Sequence, residues 1–481
     1  MCRARSCNAC WPPDITGSNR PEDEVRCLEL GAVDFIRKPY NVRIVKGKIN
    51  SVIKLRESAI VLSALEYDEL TGLYIRQAFF HHAKTLMRVK NDQKFHVVVA
   101  DVKNFKWING TYGEKTGDQV LAYLGDAYKK QVHSGMVARY GGDQFVAIVY
   151  GNLNLAEEKV EAAIHRIAER APISNLAVNY GIYENVDKTL PLTLICDRAF
   201  LAMKSIQNDY EHSFAFYDEE MGRKHIRDRM MENEFDEAIR NEEFVVYLQP
   251  KYNVVTEEIA GAEALVRWKK KDGSMVSPGE FIPLYEKDGL IVRLDEYVFN
   301  KVCEIQKTLM RSGKKLIPIS VNLSRASIHY ENMILRYVHI VEENGIPFFA
   351  VPIELTETAA LYNVQIKELT EKMVNAGFEL HMDDFGSGYS SLNQIANMPA
   401  DTIKLDHIFA SKSLCTDKGR ILIRTIINLL HQIDYNVVFE GIETLEQKQL
   451  VESYGCDLIQ GFYYSRPIPV SDFENKYMCL N

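Results

Sequence analysis

The 481-residue chain has no long hydrophobic run: nowhere do its apolar residues approach the ~18 in a row that a membrane span needs. It has no basic tract either. Its 57 basic and 66 acidic residues leave a formal net charge of −9, which argues against a nucleic-acid polymer as partner. Small anionic ligands stay open, because a local cluster of cations or a metal can hold them. Cysteine is sparse. Nine are scattered along the chain and the close pair, Cys7 and Cys10, has no second pair at zinc-site spacing, so neither a disulfide framework nor a zinc site is expected. The opening MCRARSCNACWPP carries basic residues without the apolar core of an export signal, and the expected location is the cytoplasm. What is present is globular composition, 46% hydrophobic and 26% charged, which excludes a mainly disordered, collagen-like or coiled-coil chain. At ~100–200 residues per domain, this length predicts two to four domains, each able to bury a core.

Three blocks follow from the pattern. Residues 1–57 end in a helix-periodic segment, Val42 to Leu55, preceded by GAVDFIRKPY, a turn, a short strand and then Lys38-Pro39. A short helical connector, 58–67, leads into a second block, 68–217. There the apolar runs Val97 to Val99, Phe145 to Val149 and Ala177 to Ile182 alternate with helical periodicity over Gly117 to Gln131, Ala156 to Ala171 and Thr193 to Met203, the mark of an α/β domain. A charged linker helix, 218–233, precedes the third block, 234–481, where strand and helix alternate without a long polar break. Its length and alternation suit a TIM-like (β/α) barrel. The strands are expected at Phe244 to Leu248, Glu258 to Val266, Ile317 to Asn322, Ile353 to Leu355, Glu379 to Met382, Thr402 to Leu405, Asn436 to Phe439 and Leu458 to Ile459.

Glu263, Asn322, Glu354, Asp383, Asp384, Lys404, Glu440 and Gln460 each fall in or just after one of these strands. Barrel strands converge at their C-terminal ends on one mouth, so these residues are expected to meet. Acids and amides embedded in segments such as PISVN and ELHMDD are costly to bury unpaired, and a divalent ion compensates them. An oxygen-only set suits Mg²⁺ or Mn²⁺ better than zinc. Glycines after the acids, in DDFGSG and FEGIE, permit sharp turns close to a ligand.

These strings, Glu263-Ala264-Leu265-Val266-Arg267, Val321-Asn322-Leu323-Ser324, Glu354-Leu355-Thr356-Glu357, Asp383-Asp384-Phe385-Gly386-Ser387-Gly388, Lys404-Leu405-Asp406, Glu440-Gly441-Ile442-Glu443 and Gln460-Gly461, resemble the EAL family of cyclic di-GMP phosphodiesterases in order across the third block. The resemblance implies hydrolysis of cyclic di-GMP to linear pGpG with two metal ions, Mg²⁺ or Mn²⁺. Glu263, Asn322, Glu354 and Asp383 would ligate the first, and Asp383 and Asp384 would reach the second. Lys404 would orient or polarise the attacking water, and Glu440 would complete the metal–water network as ligand or general base. Gln249, Arg267 and Gln460 would hold guanine and phosphate. Glu357, Asp406 and Glu443 fit loop-fixing roles, and DDFGSGYSS a loop coupling the metal site to a homodimer interface. A receptor that binds without hydrolysis would be expected to have lost metal ligands, and none is replaced.

The second block resembles a GGDEF, or diguanylate cyclase, domain through Asp68-Glu69-Leu70-Thr71-Gly72-Leu73, Phe105-Lys106, Ile108-Asn109, Gly117-Asp118 and Arg139-Tyr140-Gly141-Gly142-Asp143-Gln144-Phe145. It implies Asp101 and Asp143 as metal ligands, Asn109 and Asp118 on guanine and Lys204 on the terminal phosphates. The departures weaken cyclase chemistry. Gln144 replaces a glutamate, Lys103 an acid, Gly110 an aspartate and Asn208 a phosphate-binding arginine, and VHSGMVA lacks the product-inhibition RxxD. Each lost carboxylate or added ammonium reduces the attraction for metal. The readings are a GTP-binding regulator of the barrel or a structural domain that aids dimerisation, with residual diguanylate cyclase activity the least expected alternative. GAVDFIRKPY resembles the last third of a response-regulator receiver. No strand bearing a phosphoacceptor precedes it, which implies a non-phosphorylatable remnant acting as a cap or dimer surface.

Overall fold

The computed structural model describes residues 14–15, 35–36, 41–152, 155–207, 209, 211–330, 332–357, 364–386 and 400–478. Two compact units divide the chain, Met1–His225 and Ile226–Asn481. Lys38-Pro39, Asn208 and the Ser387-Gly388 stretch of DDFGSGYSS lie outside the described residues, as does most of the receiver-like segment; Asp14–Ile15 and Phe35–Ile36 pair in parallel within it. Among the described residues no helix is long and apolar enough to cross a membrane.

In the first unit one helix, Val42–Glu66 (α1), runs without a break from the expected periodic segment through the connector. Beyond it a six-stranded sheet forms from Tyr74–Ile75 (β1), Phe95–Val102 (β2), Gly135–Gly141 (β3), Gln144–Tyr150 (β4), Val178–Tyr183 (β5) and Phe214–Phe216 (β6), in the order β1-β3-β4-β2-β5-β6. β3 and β4 are an antiparallel hairpin whose turn is Gly142-Asp143, Gly142 having φ +57°. The helices are Arg76–Val89 (α2), Phe105–Tyr112 (α3), Glu114–Gln131 (α4), Glu157–Ala168 (α5) and Leu192–Ser205 (α6). α2 and α6 bury Phe79, Ala83, Ile195 and Ala199 against Val97, Val99 and Val146. α4 and α5 cover the other face with Leu121, Leu124 and Ile167. The alternation along β2 follows from the two-residue period of a strand.

The charged segment Glu219–Arg240 (α7) is one helix that extends past the unit boundary at residues 225/226. The second unit is a closed barrel. Its strands are Phe244–Asn253 (β7), Ile259–Lys269 (β8), Ile319–Leu323 (β9), Ile353–Thr356 (β10), Leu380–Phe385 (β11), Thr402–Leu405 (β12), Asn436–Glu440 (β13) and Leu458–Gln460 (β14). β8 through β14 are parallel neighbours in chain order, and β7 closes the ring by pairing antiparallel with both β8 and β14. The reversal has a local cause. Five residues separate β7 from β8, too few for a crossover. They turn back instead, with Asn253 Oδ1 accepting from the Val255 and Thr256 amides. The parallel strands are buried on both faces and therefore read as near-continuous apolar runs, so an acid among them stands out. Outside the ring, Ile291–Arg311 (α8) buries Leu294, Asp295, Val298, Phe299, Val302 and Gln306 at helical spacing.

Candidate functional site in the barrel mouth

Strand register brings the acids together. Glu263 on β8 lies opposite Ser320 on β9 and Gln249 on β7, Asn322 opposite Glu354, Thr356 opposite Asp383, and Glu440 opposite Gln460. At the centre is Lys404 on β12, fully buried. Its Nζ lies 2.6 Å from Glu354 Oε2, 2.8 Å from Glu440 Oε1, 2.9 Å from Asp383 Oδ1 and 3.2 Å from Glu263 Oε2. Burial opposes its charge, but the surrounding carboxylates override it and hold the ammonium well above its ordinary pKa.

A second ammonium, which the sequence reading missed, comes from β7. Lys251 is buried, with Nζ 2.6 Å from Glu354 Oε1 and 2.8 Å from Ser320 Oγ. Glu354 is thus gripped on both oxygens. Burial alone would raise its carboxyl, yet Lys251 and Lys404 hold it well below the usual range. The other acids are less compensated. Burial lifts Asp383 to about 6, with Lys404 opposing and Glu354 and Glu263 adding to the rise. Burial likewise lifts Glu440 to about 8 against the pull of Lys404. Asp384 is raised by burial and by neighbouring Asp406; its backbone is in the left-handed region, φ +56°, and its amide donates to Asp383 Oδ1 at 3.0 Å.

The amides knit one side of the cluster. Asn322 Nδ2 donates to Glu263 Oε1 at 2.8 Å, and Gln460 Nε2 donates to Glu263 Oε2 at 2.6 Å and Gln249 Oε1 at 3.1 Å. Gln249 Nε2 donates to the Ser465 carbonyl. Those two acceptors fix how the Gln460 amide points, which leaves its Oε1 buried with no donor among the described residues. Arg267, on the same strand face as Glu263, stays apart from the cluster: its guanidinium donates to the Val266 carbonyl and lies 5.8 Å from the Tyr247 ring centre. Glu357 accepts from the Gly386 amide, and Gly386 and Gly441 take φ +96° and +72°, as the expected sharp turns require.

One oxygen each from Glu263, Glu354 and Asp383 lie within 4.8 Å of one another. This donor set is carboxylate oxygen with an amide alongside, and among the described residues Glu263, Glu354, Asp383 and Glu440 surround the ammonium groups of Lys251 and Lys404, with Asp384 beside them. Both features fit a hard divalent cation.

In the first unit the nucleotide candidates are more dispersed. Asp101 on β2 pairs in register with Gln144 and accepts its hydrogen bond; burial raises the carboxyl, with nearby Asp143 adding to the rise. Asp143 is in the β3–β4 turn, Asp118 and Lys204 are exposed on α4 and α6, and Lys103 donates to the Asp209 carbonyl at 2.7 Å. Asn109 Oδ1 on α3 is buried without a hydrogen-bond donor among the described residues, against Gly117, where any Cβ would collide with it.

Comparison with known proteins agrees with this division. Residues 232–467 match the EAL domain and residues 65–209 match the family described as diguanylate cyclase, GGDEF domain. The signaling protein YkoW of Bacillus subtilis is 28% identical over 421 residues, 85% of this chain and 52% of that protein. The cyclic di-GMP phosphodiesterase NbdA of Pseudomonas aeruginosa is 28% identical over 85% of this chain and 53% of its own length. The cyclic di-GMP phosphodiesterase PdeR of Escherichia coli is 27% identical over 85% of this chain and 63% of its own. The chain therefore spans less than two thirds of the length of these relatives.

Proposed function

The chain belongs to the tandem GGDEF–EAL proteins, and from that premise we propose that its barrel hydrolyses cyclic di-GMP to linear pGpG with two Mg²⁺ or Mn²⁺ ions. The observation that carries the reading is the surplus of carboxylates around Lys404, in a chain whose relatives NbdA and PdeR are named cyclic di-GMP phosphodiesterases. Glu263, Asn322, Glu354 and Asp383 would hold one ion, and Asp383 and Asp384 would reach the other. Bound cations supply Lewis acidity, easing ionisation of water and stabilising charge on the phosphate oxygens.

The protein's own groups divide the remaining work. Lys404 keeps its proton and acts as a hydrogen-bond donor that orients the attacking water. Glu440 holds its proton up to about pH 8 without a cation, and added positive charge brings it into the range of a base or ligand. As the water oxygen bonds to phosphorus, the P–O3′ bond breaks. The O3′ takes up a proton, leaving a 5′-phosphate on one nucleoside and a free 3′-hydroxyl on the other. Gln460 Oε1, with no donor among the described residues, suits a guanine N–H, while Gln249 and Arg267 would hold guanine and phosphate elsewhere on the substrate. Lys251 and Ser320 keep Glu354 aimed at the centre. Purified protein incubated with cyclic di-GMP and Mn²⁺, followed by chromatography, is expected to yield pGpG, and Glu263→Ala is expected to abolish it. Binding of cyclic di-GMP without pGpG from the intact chain would assign the barrel to a receptor instead.

The unpartnered Asn109 Oδ1 favours a nucleotide role for the first unit as well. We read that unit as a GTP-binding regulator, with Asn109 and Asp118 on guanine, Asp101 and Asp143 toward metal and Lys204 toward phosphate. GTP is expected to change the rate of pGpG formation, and no binding at millimolar GTP would leave the unit a structural role. The barrel is proposed to form a homodimer, to which α9 (Asp417–Gln432) offers the exposed Ile421 and Leu422.

A further inference from the structure

On the α4–α5 face of the first unit's sheet the core does not close. A cavity of about 290 Å³ remains between the strands and α5, and its wall is almost wholly apolar. Small side chains create it: Ala100 and Ala147 on the sheet stand across from Ala163 on α5, with Ile164 and Ile167 beside them. Its size is about twice the roughly 150 Å³ apolar cavity that holds benzene, and close to the lower end, about 300 Å³, of small-molecule sites. None of Asp101, Asn109, Asp118, Asp143 and Lys204 lines it, so it is separate from the nucleotide candidates.

The buried polar groups of the wall are a tyrosine pair, the other polar residues on the lining, Gln131 and Lys159, being exposed. Tyr128 and Tyr180, 7% and 6% exposed, both line the cavity, and their hydroxyls hydrogen-bond each other at 3.1 Å. Two hydroxyls bring two protons, and a bond between them uses one. The other proton needs an acceptor, and an unmatched donor in an apolar wall is costly. The cationic group on the lining, Lys159, is exposed at the rim, so the interior offers no counter-charge for an ion.

We infer that this cavity binds an uncharged, mainly apolar small molecule bearing one hydrogen-bond acceptor, of the size and kind of an aryl or alkyl ketone. The acceptor takes the free phenolic proton of the tyrosine pair, and the apolar body lies between the sheet and α5.

Acetophenone and ethylbenzene test this because they share shape and differ in the carbonyl acceptor. In titrations of the full chain followed by NMR, acetophenone is expected to bind on the order of tenfold more tightly than ethylbenzene, the ratio one hydrogen bond provides. The double substitution Tyr128→Phe/Tyr180→Phe keeps the shape, removes both donors and is expected to erase that preference. Ala163→Phe fills the space and is expected to abolish binding of both compounds. If Ala163→Phe disturbs the fold, the double phenylalanine variant still decides. Failure of the wild-type chain to bind acetophenone at millimolar concentration overturns the inference, as does equal affinity for the two compounds or binding that survives in folded Ala163→Phe. A cavity filled only by water gives the first of those results.

Discussion

Lys251→Met is the most informative single perturbation of the barrel, because it removes a buried charge from a pair whose geometry is fully specified. At 2.6 Å and an effective dielectric of ~20, the attraction between Lys251 Nζ and Glu354 Oε1 is about 6 kcal/mol before desolvation is counted. Taking one partner away leaves Glu354 buried and short of one ammonium, a change that costs roughly 3–5 kcal/mol in comparable pairs. Lys404 still holds the other oxygen at 2.6 Å, so the lower part of that range is expected, about 3 kcal/mol. Because the chain has two units, its unfolding need not be two-state, and the barrel's own transition must be followed. Trp268, fully buried in the barrel, becomes the sole tryptophan after Trp11→Phe and Trp107→Phe and reports that transition in urea. Adding Glu354→Gln to Lys251→Met removes the unpaired charge, so the double variant is expected to lose clearly less than the sum of the single losses. A loss under about 1 kcal/mol for Lys251→Met, or strict additivity in the cycle, would refute the reasoning.

Further expectations concern charge and pH. Lys404→Met should lower pGpG formation by roughly 10²–10⁴-fold, the range for a positioned proton-handling group, while the variant still binds cyclic di-GMP; chromatography and calorimetry read the two effects. Without metal, the folded-state pKa values of Asp383 and Glu440 are raised, to about 6 and about 8, so the stability their protonation contributes is complete at acid pH and is lost as pH rises through those values. Mn²⁺ binding at pH 7 should therefore release about one proton, seen as a buffer-dependent heat, and Glu440→Gln should remove most of it. Asp295, raised to about 6 by burial despite hydrogen bonds from Ser324 and Ser327, follows the same sign. Its contribution is full below about pH 4 and falls by about 3 kcal/mol through pH 6, and Asp295→Asn should flatten that part of the barrel's urea-midpoint profile.

The candidate site was legible because parallel barrel strands are apolar on both faces, so Glu354 in PIEL and Lys404 in TIKL contradict their surroundings and identify the mouth. Lys251 was not legible in the same way. Pro250 precedes it, and a proline after YLQ reads as the end of a strand; in the fold β7 continues to Asn253, with Pro250 opposite Ala262 and Lys251 turned into the barrel. Ser320 and His381 share the interior without any local pattern to announce it, since only strand register sets Ser320 opposite Glu263 and His381 opposite Glu354. In the first unit β2, β4 and β5 were visible as apolar runs. β3, GMVARYG, is too glycine-rich to read as a strand by itself and forms through its hairpin with β4. The tyrosine-lined cavity depends on which small residues meet across sheet and helix, a matter of packing that one strand or helix cannot reveal.

The proposed hydrolysis is an attack of water on phosphorus in the barrel. The purified 481-residue chain, Mn²⁺ and cyclic di-GMP should be incubated in ¹⁸O-enriched water and the product analysed by mass spectrometry. The expected product is pGpG carrying one ¹⁸O on its 5′-phosphate, formed by the wild-type protein and not by Glu263→Ala. Cyclic di-GMP recovered intact from the wild-type protein, or pGpG without the label, would contradict it.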